Sequence, residues 1–361
     1  MKNKKINLAI IFGGQSDEHE VSLNSAKSVI NYLDKEKYQI VPIAITKKGY
    51  WLIGKKGKKY LDLYNGIKRE GGLSLKKSES LVGVKRVKND LINFAEGKIN
   101  VKKIDLVIPM IHGTFGEDGK LQGMLEMLGL PYLFSDTLAS ALAMNKPKTQ
   151  ILAKNIGLNV LPHLTIKKNN KYNLKKIIKR IGLPIVVKPT EAGSSVGVSI
   201  ARSIQELKQG LEKTFKLSFE IMLEKYKRGR ELTVGIIGNE TPRALPIIEI
   251  FSQISDFYDY QAKYQDRGSK HICPAKIPEK IKNKVQSDAL KIFQSIGCRD
   301  LARADFIWSE ADNKVYFLEI NTIPGMTSVS LVPEAAQING LDFNKFLDSI
   351  IKIGLKRYHL L

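Results

Sequence analysis

Short apolar runs alternate along this chain with polar, glycine-punctuated stretches. Residues 6–12 (INLAIIF) are almost continuously apolar and end at Gly13-Gly14, the pattern of a strand buried on both faces. Residues 21–33 carry Val29, Ile30 and Leu33 at helical spacing, and 39–45 return to an apolar run, so the chain is expected to open with a βαβ unit. Another strand is predicted over 104–111, leading into a second glycine-rich loop; between 47 and 97, glycine and lysine dominate with weak periodicity, which reads as an insertion. Met124, Leu125, Met127 and Leu128 predict a helix that stops at Gly129 before Pro131, and a further helix starts near Asp136 or Thr137. Downstream, a helix over 174–181 halts at Gly182-Leu183-Pro184, and strands over 185–188 and 198–201 flank a glycine-serine loop as a hairpin. Strands over 221–225, 232–237, 244–250, 304–308 and 315–320, with a helix over 281–296, complete an α/β chain without internal repeats.

Composition narrows the class. The 361 residues suffice for two or three domains at ~150 residues each. With 43% hydrophobic and 26% charged residues, extended disorder and collagen-like or membrane-spanning designs are disfavoured. The run at 6–12 is too short for the core of a signal peptide, and no other segment approaches the ~20 apolar residues of a membrane helix. Cys273 and Cys298 supply neither a disulfide framework nor a four-ligand zinc site, so a reducing cytoplasm is the expected compartment. A net charge of +22 raises nucleic acid as a partner, but the lysines are scattered and the Arg–aromatic clusters that read bases are lacking. A lysine-rich solvated surface, able to attract anionic substrates, fits better.

Four segments carry candidate chemistry. Gly13-Gly14-Gln15-Ser16-Asp17-Glu18-His19-Glu20 follows a strand and precedes a helix. It could bind an anion on helix N–H groups, hold an ammonium with its acidic residues, or be a plain turn. It lacks the third glycine of the dinucleotide fingerprint, and the second histidine of a zinc-protease motif would fall on Leu23. Ile111-His112-Gly113-Thr114-Phe115-Gly116-Glu117-Asp118-Gly119 is a glycine-rich loop where open α/β sheets bind ligands, although a histidine there is more often structural. Gly193-Ser194-Ser195-Val196-Gly197 matches a hydrolase nucleophile elbow in letters, yet the elbow needs a helix directly after it and a strand is predicted instead. Such a loop suits phosphate wrapping by backbone N–H groups. Finally, Arg303 and Asp305 share one strand face, as do Glu319 and Asn321, because side chains repeat every second residue. Two antiparallel strands would bring Asp305, Glu319 and Asn321 together as three oxygen ligands for Mg²⁺, with a guanidinium beside them.

In their order these segments resemble the D-alanine:D-alanine ligases of the ATP-grasp superfamily. The strings that carry the resemblance are GGQSDEHEVS (13–22), HGTFGEDG (112–119), VKPTEAGSSVGVS (187–199), FYDYQAKY (257–264), GCRDLARADF (297–306) and EINTIPGMTSVSLVP (319–333), spanning nearly the whole chain. The resemblance implies a three-domain ATP-grasp architecture with an N-terminal open βαβ domain. An N-terminal α/β domain over 1–134 would bind the first D-alanine. A central domain over 135–224 would carry a phosphate lid loop, and a C-terminal domain over 225–361 the metal site and a second lid. It further implies ATP-driven joining of two D-alanines for peptidoglycan precursor synthesis, with D-serine as an alternative second substrate. The cofactors would be ATP and Mg²⁺, with Mn²⁺ a substitute. A homodimer is expected, with no nucleic acid and no membrane insertion.

The resemblance also assigns residues. Lys146 and Lys188 would contact phosphates, Lys263 the γ-phosphate, Glu224 the adenine amino group and Glu231 the ribose. Ser194 and Ser195 would lie on the lid over the phosphates. Glu18 would hold the first ammonium group, supported by Ser194 and Tyr264, while Arg303 and the Gly325 N–H stabilise the tetrahedral oxyanion. Ser330 and the Leu331 backbone would receive the second carboxylate, with His112 near the substrates. Mobile lids are expected over 193–197 and 256–272. A neutral tyrosine at 264, rather than a cationic side chain, favours an amine over D-lactate as the second substrate.

Overall fold

The structure, a computed structural model, describes residues 5–64, 104–193, 196–252 and 269–361. Ser194, Ser195, Lys263, Tyr264 and most of the expected second lid lie outside the described residues.

The opening apolar run becomes β1 (Ile6–Gly13), flanked in parallel by β2 (Tyr38–Ile45) and, on its other side, by β4 (Leu106–Pro109). A short β3 (Trp51–Ile53) adds antiparallel to β2, giving the order β3-β2-β1-β4. Alternation along β1 sends Leu8, Ile10 and Phe12 into one core and Ala9 and Ile11 into another, as a sheet covered on both faces requires. Helix α1 (His19–Tyr32) covers the first face with Leu23, Ala26, Val29 and Ile30. The beginning of the expected insertion is ordered as β3 and as α2 (Lys55–Tyr64), whose Leu61 reaches the same core; residues 65–103 lie outside the described set.

Next come α3 (Lys120–Met127), α4 (Thr137–Met144) and α5 (Lys146–Asn155). Asp136 caps α4 by accepting the Ala139 N–H, and Asn145 caps α5 through the Lys148 N–H. A second sheet, β5 (His163–Lys167), β8 (Glu220–Lys225), β6 (Ile185–Pro189) and β7 (Ser199–Ala201) in that order, is antiparallel throughout. Helices α6 (Leu174–Ile181) and α7 (Ile204–Thr214) cover one face of it through Ile177, Ile181, Leu207 and Leu211.

The third sheet runs β12 (Ser269–Ile272), β11 (Ile248–Ser252), β9 (Arg230–Ile237), β13 (Leu301–Ser309) and β14 (Lys314–Asn321), with β10 (Arg243–Ala244) paired to β9. The single strand expected over 244–250 is two: Leu245-Pro246-Ile247 interrupts it, and proline has no N–H to give a ladder. Ala302, Ala304, Phe306 and Trp308 point into a core with α4, α5 and α8 (Glu279–Ile296), which frees Arg303 and Asp305 for the opposite face.

One feature of β14 bears directly on that face. Phe317 and Ile320 both enter the core although they are three residues apart, which plain alternation forbids. The register slips between Asp305 and Phe306, where Asp305 pairs with Glu319 but Phe306 pairs with Phe317. Leu318 is the extra residue of a bulge, and it restores the parity that puts Glu319 beside Asp305.

The chain closes with α9 (Leu331–Ile338) and α10 (Phe343–Arg357), which bury Val332, Phe346, Ile350 and Ile351 in the core shared with α1. Asp300 ties this end down. Fully buried, it accepts from the Phe134 N–H (2.8 Å) and Asn239 Nδ2 (3.0 Å), and pairs with the Arg357 guanidinium at 3.2 Å. Asp300→Ala would leave that guanidinium without its counter-charge and should cost ~3–5 kcal/mol. Chemical denaturation would measure it, and a loss under ~1 kcal/mol would rule out the tie. Among the described residues no helix is long and apolar enough to cross a membrane.

Candidate active site

Two cavities meet on the free face of the third sheet. The first, with about 1200 Å³ of empty space, lies between the second and third sheets; Lys146, Lys188, Glu224, Glu231, Asp305 and Glu319 line it. The second, with about 1320 Å³, is bordered by Glu18, His112, Glu117, Asn321, Gly325 and Ser330. Arg303, Glu319 and Leu331 line both. A group seated in one cavity can therefore reach a group in the other past a guanidinium and a carboxylate.

The expected pairing of β13 with β14 is present: Asp305 stands opposite Glu319 and Arg303 opposite Asn321. The Arg303 guanidinium grips Asp305 through two bonds, Nε to Oδ1 at 2.9 Å and a terminal nitrogen to Oδ2 at 2.7 Å. Asn321 Nδ2 donates to Asp305 Oδ2 at 3.2 Å. Thr233 on β9, which the sequence reading missed, donates its hydroxyl to Asp305 Oδ1 at 2.5 Å. Two carboxylates and an amide suit Mg²⁺, which binds through one or two carboxylates and takes its remaining ligands from phosphates and water. No cluster of three His, Cys, Asp or Glu side chains that could hold a metal occurs among the described residues.

Lysines line the first cavity. Lys146 opens α5, with Nζ 3.3 Å from Glu319 Oε2 and donating to the Ala192 carbonyl at 2.6 Å. Lys188, on β6, pairs with Glu224 at 2.7 Å. Glu224 is buried and its second oxygen accepts from Gln150 Nε2 at 2.6 Å; Gln150 is another contact the sequence did not signal. Glu231, on β9, lies in the wall of the same cleft.

In the second cavity, the Gly13-Gly14 turn folds back on β2, the Gly14 N–H donating to Ile45 O at 2.8 Å. Gly13 holds φ at +90°, and a side chain there would strike the Ile45 carbonyl. His19 Nδ1, which must donate because a carbonyl only accepts, closes the turn onto Gly14 O at 2.6 Å. The turn thereby delivers Glu18, buried at the N-cap of α1, into the cavity.

His112 is buried in the cavity wall. Its Nδ1 donates to Ile323 O at 3.1 Å, leaving Nε2 to accept from Ser25 at 2.9 Å. Burial, ahead of the attraction of Glu18, lowers its pKa and keeps it neutral. Both ring nitrogens are thus engaged in tying α1 to the loop after β14, the structural role that a histidine here most often has. Ser330 precedes α9 and accepts from the Thr327 N–H at 3.0 Å, with Gly325 beside it. The loop after β6 leads into β7, a strand, so the serine nucleophile elbow has no helix to sit on.

Comparisons with known proteins identify the family. The family described as "D-ala D-ala ligase N-terminus" matches residues 7–135, and "D-ala D-ala ligase C-terminus" matches 152–352. The chain belongs to the D-alanine–D-alanine ligase family. It is 35% identical over 361 residues to D-alanine–D-alanine ligase A of Salmonella typhimurium, covering 98% of this chain and 97% of that one. The ligase of Natranaerobius thermophilus is 36% identical over 361 residues, covering 98% and 96%. Among solved structures, the D-Ala:D-Ser ligase of Enterococcus faecalis matches with a TM-score of 0.80 at 32% identity, covering 97% of this chain and all of that one. The Bacillus anthracis D-alanine–D-alanine ligase complexed with ATP matches with a TM-score of 0.73 at 27% identity, over 98% of this chain and 99% of that one. The fold is accordingly ATP-grasp, and the protein is a ligase.

Proposed function

We propose that the chain joins two D-alanines into D-alanyl-D-alanine, a peptidoglycan precursor, by way of D-alanyl phosphate. A carboxylate does not react with an amine until it is activated, so ATP phosphorylates the first D-alanine at its carboxylate. The second amine then attacks the acyl carbon, and the C–O bond to phosphate breaks once the tetrahedral oxyanion collapses. One observation carries the reading: Arg303 and Glu319 line both the lysine-lined cleft between the second and third sheets and the cavity holding Glu18, so phosphate donor and acceptor would meet at those two side chains.

Each residue contributes what its chemistry allows. Lys146, beside Glu319, places a cation where the transferring phosphate passes. Asp305, Glu319 and Asn321 would hold Mg²⁺, which when bound neutralises charge on the β- and γ-phosphate oxygens. Arg303 and the Gly325 N–H face the developing oxyanion, Glu18 the first ammonium, and Ser330 with the Leu331 N–H the second carboxylate. Ser194, Lys263 and Tyr264 keep the roles the resemblance gives them.

An assay supplying ATP, Mg²⁺ and D-alanine together with D-serine and D-lactate tests the reading. We expect D-alanyl-D-alanine to dominate on kcat/KM, with some D-alanyl-D-serine, because a pocket rejects one added hydroxyl only weakly, and with little depsipeptide. Dominant D-alanyl-D-serine would establish the D-serine alternative. A preference for D-lactate at neutral pH, or ester hydrolysis without ATP, would overturn the reading.

A further inference from the structure

The substrate cavity contains a second buried carboxylate that the reaction above leaves without a task. Glu117 lies in the loop after β4, 9% exposed, and its Oε2 accepts the Gly113 N–H at 2.7 Å. Gly113 also borders Glu18, 6% exposed, since a Cβ added to Gly113 would lie 2.5 Å from Glu18 Oε2. Gly193 closes on Glu18 as well, and a Cβ there would collide with the same oxygen. Glu18 and Glu117 thus flank a single glycine in a cavity that also holds Arg303. An amino-acid ammonium matches that arrangement, seated between the two carboxylates.

We propose that Glu117 acts with Glu18 as a second carboxylate holding the ammonium of the first substrate, an inference that rests on the ligase reading. Two carboxylates buried against the same glycine repel each other, and burial adds to the cost of ionising both. Burial, reinforced by the Glu18 charge, pushes the Glu117 carboxyl up to about 8; the Gly113 N–H, Arg303 on β13 and the Ile323 backbone oppose this. His112, in the same loop, is neutral, and Lys146 and Glu319 line a smaller cavity that Glu117 also borders. Near neutral pH the empty pair therefore carries one proton. The ammonium enters with its own protons and takes that place, so one proton leaves to solvent for each first substrate bound. Below about pH 8 that release opposes binding, and affinity improves as pH rises while the substrate amine stays protonated.

First-substrate affinity of the wild type should strengthen by about tenfold per pH unit between 6.5 and 7.5, and calorimetry at pH 7 in two buffers of different ionisation enthalpy should show release approaching one proton. In Glu117→Gln the first D-alanine should bind ~10-fold or more weakly above pH 8, with a flat profile and no proton release. If that variant does not fold, the wild-type calorimetry alone decides. A wild-type enzyme that turns over yet releases no proton would overturn the proposal alone, as would a Glu117→Gln variant with the wild-type KM and pH profile. Absence of D-alanine-dependent ADP formation by the wild type would overturn the ligase reading, and this inference with it.

Discussion

Asp305→Ala and Glu319→Ala should each lose turnover by ~10³-fold or more, beyond the loss of a single oxyanion donor, while the protein stays folded. Both side chains face the cavities rather than the core, 18% and 27% exposed, so truncation leaves no void in packed interior. The two variants separate two explanations, because Asp305 is also the bidentate partner of Arg303. If Asp305 mattered only by orienting that guanidinium, Glu319→Ala would remain active. If both hold a metal, both should fail, and raising Mg²⁺ should recover part of the activity in each. Steady-state ADP release across a Mg²⁺ titration measures this, with thermal unfolding as the check on folding. Near-normal activity in either variant at saturating Mg²⁺ would sink the proposed site.

Much of this site could be read from the chain because it lies on regular elements. Period-two alternation alone placed Asp305, Glu319 and Asn321 on one face, and the strand-glycine-helix pattern placed Glu18 at a turn. What stayed hidden depended on chain-distant contacts or local irregularity. The bulge at Leu318 leaves no mark on an apolar run, yet without it Phe317 and Glu319 could not face opposite ways while Ile320 also enters the core. Thr233 and Gln150 act through partners 72 and 74 residues away, and a polar residue in a strand or helix announces no such partner. Helix α7 went unnoticed although Ser203 caps the Glu206 N–H and the Glu206 carboxylate returns to the Arg202 N–H. That is a variant of the capping box, readable in principle from Ser203 and Glu206 alone. The lid residues Ser194, Lys263 and Tyr264 rest on the resemblance of their strings.

Arg303→Lys should reduce kcat by ~100-fold or more with KM for both D-alanines little changed. The substitution keeps the charge and removes the geometry. Arg303 reaches Asp305 through two nitrogens at once and still borders both cavities, which a planar fork with five donors can do. A lysine ammonium is a point charge on a flexible stem: it can pair with Asp305 or turn toward the reacting carbonyl, but it cannot be held in place by one while donating to the other. If Arg303 stabilises charge that develops only as the amine attacks, the loss belongs to the transition state and kcat and kcat/KM fall together. A shortfall confined to KM would make it a ground-state contact to a substrate carboxylate and move the oxyanion role to the Gly325 N–H. Single-turnover measurement of acyl-phosphate formation against dipeptide release then locates the defect. Phosphorylation of the first D-alanine at a near-normal rate, followed by slow attack of the second, is the expected pattern, and equal slowing of both steps would assign Arg303 to the phosphate rather than to the oxyanion.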